Sequence, residues 1–387
     1  MSQVLEIAPI LKEKIFTSPV KIAKIELLKL DYRISDREIY FVRSISSDGA
    51  VGIAIAHKYK YVQNFYPILQ NLVIPYFIGK DARELESLID GVYLFRRNYK
   101  LGGLPFWCCV AWVEMSLLDL LGKVASKPVG ELLGGVLRSE IPIYLSSLRR
   151  DTTPEREVAF AQKRIEETGA KAIKFKIGGR MSNNSDAAPG RTESLISLAR
   201  KTLGDSIAIH ADANGSYDSK KAIEVGRMLE AHNVSFFEEP CPFEELEEIK
   251  HVTDALSMSV AAGELETSWS RFKSMIRQRT IDIVQPDLIF YGGFIRTIRV
   301  ACQVKSAGIL TTIHNPERGP GINYPLHCAS CIPSPYKYHE YNAKSLKYTD
   351  WFTPVLKPEN GVIKVPQEPG LGMSFDPKVL REAKAFL

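Results

Sequence analysis

Hydrophobic and polar positions along this chain follow two different rhythms. Between residues 22 and 57 the apolar runs are short and rich in β-branched side chains. They read IAKIELLKL, IYFVRSI and VGIAIAH, with a Ser47-Asp48-Gly49 turn signal between the last two. That pattern predicts an antiparallel meander. From Lys80 to Leu133 the period lengthens. The segment CVAWVEMSLLDLLGKVA is apolar around most of a helical circumference, which predicts a buried helix. Residues 1–140 therefore read as an α+β unit.

After Ile141 short apolar runs alternate with helix-period segments. One segment shows how well the ends are marked. Thr152, Thr153 and Pro154 offer caps and a first-turn proline, Val158, Ala161 and Ile165 share a face, and Gly169 is placed to stop the helix. The strand-like runs are IPIYLSS, AIKFKI, SIAIHADAN, VSFFEEP, SVAAGE, IDIVQPD, ILTTIH and YKYHEY. A βαβ series of this kind implies a parallel sheet, either open or closed into a barrel.

Polar residues decide between the two. The last chemically notable residues of seven runs are Lys176, Asp212, Glu238, Glu264, Asp287, His314 and Glu340, spaced 23 to 36 residues apart. A barrel needs about 30 residues per βα unit and carries its active site at the C-terminal ends of the strands. The predicted fold is α/β, a modified (β/α)8 TIM-type barrel over residues 141–350 with the α+β unit as an N-terminal capping domain. The Gly178–Gly190 stretch is a loop that accounts for the one long spacing. Residues 351–387 fall outside the period, open a last helix at Asp376-Pro377, and are predicted to pack back on the capping domain.

Lys174 and Lys176 lie two apart on one strand and so share a face. Two enclosed ammonium groups repel, and each favours the neutral amine of the other, which suits a base. Asp212, Glu238 and Glu264 close three successive strands. Any one alone reads as a surface or capping residue, but three converging carboxylates need a cation. All-oxygen ligation selects Mg²⁺, with Mn²⁺ as the alternative. Glu239, next to Glu238, is expected to point away. Asn214 shares a face with Asp212 and is placed to hydrogen-bond near the site. Asp287 beside His314 fixes an imidazole tautomer and gives a proton donor and acceptor. Glu340, if protonated, is a donor for a substrate carboxylate. Cys328 and Cys331, with apolar neighbours and no second pair, read as buried thiols. Two carboxyls facing each other across a sugar would suit a glycosidase, but three beside lysines do not.

Composition narrows the class. Lys plus Arg total 50 against 45 Asp plus Glu, a net charge of +5 without basic runs. This is too diffuse for nucleic acid and favours small anions. Six cysteines in 387 residues make no disulfide framework and fit a reducing cytoplasm. No uninterrupted apolar run reaches the roughly 18 residues of a membrane span, and the first twelve residues lack the features of a signal peptide.

Order and spacing together resemble the enolase superfamily, and within it the mandelate racemase branch of the mandelate racemase/muconate lactonizing enzyme family. The resemblance covers almost the whole chain: VRSISSDGAVG and VEMSLLDLLGKVASKPVGELLGG in the first unit, KFK, DAN, EEP, GE, QPD and the single histidine in the barrel, and PGLG in the tail. It implies Asp212, Glu238 and Glu264 as Mg²⁺ ligands, Lys176 as one acid/base and His314 with Asp287 as the other. It further implies that Lys174 contacts a substrate carboxylate and that Glu340 hydrogen-bonds it. The chain departs from many relatives at Gly52-Ile53-Ala54-Ile55, where they have Gly-Trp-Gly-Glu, and in the following loop, His57 to Tyr61, a region from which capping domains supply specificity.

The implied reaction removes a proton next to a carboxylate through an enediolate. The leading expectation is dehydration of a sugar acid, an aldonate or aldarate, to a 2-keto-3-deoxy acid. A racemase or epimerase using the same two bases and a non-catalytic binding protein are the competing readings. The expected partners are a small carboxylate and further copies of the chain as a homo-oligomer, with neither nucleic acid nor membrane.

Overall fold

The computed structural model describes residues 8–30, 38–56, 59–344 and 351–386. The first rhythm folds as the antiparallel strands β1 (Ile22–Leu30), β2 (Ile39–Ser46) and β3 (Val51–Ile55). The turn between the last two closes with Gly49 N–H donating to Ser46 O at 3.0 Å. His57 and Lys58 of the expected specificity loop lie outside the described residues. From Tyr59 the chain is already helical, Tyr59–Ile68 followed by a π-turn and Ile74–Phe77. The sequence pattern missed these helices because Pro67 lies inside the first and a proline opens the second, punctuation that ordinarily marks helix boundaries.

The buried helix spans Leu104–Ala125 and lies against β2 and β3. A Cβ on Gly52 would come within 2.1 Å of Ser116 O, so strand and helix meet this closely only because that position is glycine. Although Glu114 and Asp119 interrupt its apolar run, this helix is long and apolar enough by composition to cross a membrane, which the sequence reading did not anticipate. Of that apolar window, 89% is buried inside the protein, as befits a core helix.

The second rhythm folds as eight parallel strands: β4 (Glu140–Ser146), β5 (Ala172–Lys176), β6 (Ala208–Asp212), β7 (Val234–Glu238), β8 (Ser259–Ala262), β9 (Ile283–Val284), β10 (Leu310–Thr311) and β11 (His339–Asn342). Their order is β10-β9-β8-β7-β6-β5-β4-β11, and a parallel bridge between Thr311 and Pro335 joins the two ends. The result is a modified TIM-type barrel with an α+β capping domain. Helices cover it outside, among them Pro154–Thr168, which Thr153 caps and Gly169 ends at φ 70°.

Strand alternation sorts the side chains. Ile173, Phe175, Ile209, Ala211 and Phe237 join the outer core beneath the helices. The intervening residues of the same strands point inward, and Tyr144, Ala172, Phe236, Ala261, Ile283 and Tyr338 pack together there. Register then places Lys176 beside Asp212 and Asp212 beside Glu238 across β5, β6 and β7.

Four short strands complete the fold: β12 (Phe352–Thr353), β13 (Val362–Lys364), β14 (Ser374–Phe375) and β15 (Lys384–Ala385). β13 runs antiparallel to β4, β12 pairs with β14, and β15 pairs with β1. Between the last two strands lies the six-residue helix Pro377–Glu382, capped by Asp376.

Candidate active site

Asp212, Glu238 and Glu264 are buried, and one oxygen from each lies within 4.8 Å of the others. Asp212 and Glu238 are the last residues of their strands, whereas Glu264 lies two residues beyond β8. Burial raises all carboxylates, but Lys176 and Lys174 reverse this for Asp212 and hold it well below the ordinary range. Burial and the adjacent Asp212 push Glu238 well up, and Lys174 only partly offsets them. The cluster thus holds more acid than its lysines neutralise. Glu264 Oε2 is buried without a hydrogen-bond partner, 3.3 Å from His314 Nε2. Three converging carboxylate oxygens fit a hard divalent cation.

The two lysines occupy different places. Lys176 contacts Asp212, donates to Asn214 Oδ1 at 3.1 Å and lines a cavity of about 480 Å³. Lys174 is fully buried, absent from the cavity wall, and donates to both oxygens of Glu238 at 2.6 and 2.7 Å. Its Nζ also lies 3.0 Å from Glu340 Oε1. Burial would favour the neutral amine, but Glu238 and Glu340 outweigh it and hold Lys174 well above the ordinary lysine range. The expected mutual depression of the two lysines therefore fails at Lys174, where carboxylates outnumber cations.

Glu340 also departs from expectation. Burial opposes its charge, but Lys174 and His314 hold its carboxyl down to about 2. It is ionised, and its other oxygen accepts from Asn315 N–H at 2.7 Å. In this form it holds Lys174 in place and cannot donate to a carboxylate.

His314 lines the same cavity as Lys176 and Glu264. Its Nδ1 lies 2.9 Å from Asp287 Oδ2. Burial would keep the ring neutral, but Glu264 and Asp287 overcome it and push the imidazole up to about 9. Asp287 is itself fixed, because its Oδ1 accepts from Ile289 and Phe290 N–H at 2.8 and 3.0 Å. Both residues lie three positions past their strand ends, where an isolated parallel bridge keeps their backbones adjacent.

Asn214, at φ 43°, is a hub. Its Oδ1 accepts from Lys176 and from Arg150 Nη2 (3.0 Å), and its Nδ2 donates to Glu239 Oε2 (3.1 Å). Glu239 therefore points into the site and not away from it. Alternation ends with β7, and φ 41° turns this side chain inward. Burial and Glu264 push its carboxyl up to about 8.

The sequence reading also missed Arg150, Gln285 and Phe290. Gln285 donates to Glu238 Oε2 at 2.7 Å. Arg150 follows β4 by four residues, and the rule that strand C-termini carry the site could have found it. Tyr61 of the capping domain and Phe290 of the barrel both line the cavity, 6.3 Å apart. Tyr61 ends the loop from which specificity was expected, whereas no spacing signal in the sequence marks Phe290. Cys328 and Cys331 are buried, free thiols away from the cavity.

An eight-stranded barrel with buried acids on three successive strands and a capping domain over its cavity defines an enolase-like protein. Residues 156–379 match the family described as "Enolase C-terminal domain-like", and residues 21–134 match "Mandelate racemase / muconate lactonizing enzyme, N-terminal domain". The chain belongs to the mandelate racemase/muconate lactonizing enzyme family of the enolase superfamily. It is 28% identical to an arabinonate dehydratase of Saccharolobus solfataricus over 352 residues, 90% of this chain and 91% of the relative. It is 24% identical to a chloromuconate cycloisomerase of Pseudomonas putida, over 92% and 94% of the two chains. A solved mandelate racemase/muconate lactonizing protein from Paracoccus denitrificans, complexed with magnesium, superposes with a TM-score of 0.86 at 26% identity, covering 95% of this chain and 99% of that one.

Proposed function

We propose that this enzyme is a Mg²⁺-dependent dehydratase of a sugar acid, an aldonate or aldarate, and that its site is built as in the mandelate racemase branch. The observation that carries the reading is that Lys176 and His314 line one cavity together with Glu264, whose carboxylate converges with those of Asp212 and Glu238 buried behind the wall. Asp212, Glu238 and Glu264 would hold Mg²⁺, which would offset the excess of carboxylates and supply positive charge to stabilise the negative charge that develops on the substrate carboxylate. The name of the arabinonate dehydratase relative supports the substrate class, and the magnesium complex of the Paracoccus relative supports the metal.

Lys176 takes the α-proton, and the C–H electron pair enters the enediolate and then forms the Cα–Cβ double bond as the β-hydroxyl departs. The β-hydroxyl leaves as water with a proton from His314, which Asp287 holds in the required tautomer. The resulting enol becomes the 2-keto-3-deoxy acid. Lys174, positioned by Glu340, supplies fixed charge behind Glu238, while Tyr61 and Phe290 limit access of water.

Two groups flanking one cavity also suit racemisation, the second reading. Incubation of an acid-sugar panel with enzyme and Mg²⁺ in D₂O separates them. The expected result is a 2-keto product, deuterated substrate of inverted configuration supports a racemase or epimerase, and neither with any acid counts against both. Mg²⁺ is expected to raise the melting temperature, since ligand at 100 times its Kd adds about 2.7 kcal/mol. Absence of that shift removes the metal assignment.

A further inference from the structure

Glu239 sits at the cavity but has no part in the proton transfers described above. It is the first residue after β7, at φ 41°. A left-handed backbone at a residue with a side chain costs on the order of 1 kcal/mol and persists where its surroundings enforce it. Here Glu239 N–H donates to Ala261 O at 2.9 Å, and its carbonyl accepts from Gly215 N–H at 2.8 Å. The strained backbone buries the carboxyl, leaving the residue 3% exposed, and makes it part of the cavity wall that holds Lys176 and His314.

One of its oxygens is satisfied and the other is not. Oε2 accepts from Asn214 Nδ2 at 3.1 Å, while Oε1 has no hydrogen-bond partner. An unpaired buried polar atom costs about 1–3 kcal/mol, so a donor is missing. Glu239 does not belong to the group of acids that converge on the cation position. A hydroxyl both donates and accepts, and therefore satisfies this oxygen whether the carboxyl is ionised or protonated.

We propose that Glu239 hydrogen-bonds a retained hydroxyl of the bound acid, so that the cavity selects polyhydroxylated chains over their deoxy counterparts. The inference rests on the sugar-acid reading and deepens it. A site built to pair with a hydroxyl discriminates strongly against the analogue lacking it, because its own polar atom is then left unpaired.

The test measures kcat/KM with Mg²⁺ for four- to six-carbon aldonates and aldarates and for their 4-deoxy and 5-deoxy analogues. Wild type is expected to favour the hydroxylated acid by at least about tenfold over one deoxy analogue. Glu239→Ala should collapse that preference by losing activity mainly on the hydroxylated acid, and Glu239→Gln should keep part of it. Equal losses on both acids, or no preference in wild type, overturn the proposal and leave Oε1 to water. If no acid yields a 2-keto product, the dehydratase reading fails. The same panel read by α-proton exchange in D₂O and by thermal shift then decides the fate of Glu239. Preference for the hydroxylated acid that disappears in Glu239→Ala supports the proposal, and its absence, or binding of no acid, overturns it.

Discussion

The two halves of the barrel hold their chemical groups by different means. On β5, β6 and β7, Lys174, Lys176, Asp212 and Glu238 stand within the strands, and sheet register alone sets them side by side. On the other half, Glu264, Asp287 and His314 lie two or three residues beyond β8, β9 and β10, and β9 and β10 are only two residues long. There the backbone is held by side chains. Asp287 ties Ile289 and Phe290, and Glu114 of the capping domain accepts from Phe294 and Ile295 N–H at 2.5 and 3.1 Å. A Cβ on Gly293 would meet Glu114 Oε2 at 1.8 Å, so this contact exists because position 293 is glycine. The comparison teaches that even spacing in sequence conceals one rigid half and one whose geometry depends on polar contacts, partly from another domain.

The largest expected effect breaks the loop-held half at its end. His314→Asn should lower kcat by about 10²–10⁴-fold while the variant still folds, read by circular dichroism. Retained turnover removes His314 from the mechanism.

Asp287→Asn should cost less, about 100-fold, and it has a pH signature. Histidine at 6.5 is pushed up to about 9 here. Without metal the ring therefore stays protonated until pH rises through about 9, and Mg²⁺ on Glu264 would lower that value by offsetting its largest raising charge, so a step that needs the protonated ring fails on the alkaline side of the profile. The contribution of His314 to stability has the same sign, fully present below 6.5 and lost as pH rises through about 9. Removing the Asp287 charge should move the alkaline limb of the rate profile to lower pH, and an unmoved limb would assign it to another group.

In the strand-held half, Glu340→Gln leaves Lys174 short of one buried partner and should destabilise the fold by about 3–5 kcal/mol, read by denaturant unfolding. Its effect on kcat should stay below that of Asp287→Asn, since Glu340 is not on the cavity wall. The smallest effect tests the tie between domains. Glu114→Ala strips two backbone donors of their acceptor and should cost about 1–3 kcal/mol, with a modest loss of turnover. If it matched Asp287→Asn in kcat, the loop would depend more on the capping domain than on Asp287.

How much of this was legible follows from local rules. Period-two alternation foretold that Lys174, Lys176, Asp212 and Glu238 face inward, because a strand's geometry is fixed residue by residue. The same rule misplaced Glu239, since the strand ends one residue earlier and a left-handed backbone reverses the side chain. Counting charges on one strand suggested lysines pushed toward neutrality. The carboxylates that reverse this for Lys174 come from β7 and β11, and Glu340 reaches it from 166 residues away.

The sequence by itself determined the barrel, the acids on three successive strands and the pairing of Asp287 with His314, all consequences of periodicity and of charges that cannot converge without a cation. Only the tertiary structure decided which lysine reaches the cavity, that Glu340 is ionised, and that Glu239, Arg150, Tyr61 and Phe290 join the wall. These depend on backbone turns beyond the strands and on distances between remote segments, where electrostatic and packing energies are set by neighbours that local sequence does not contain.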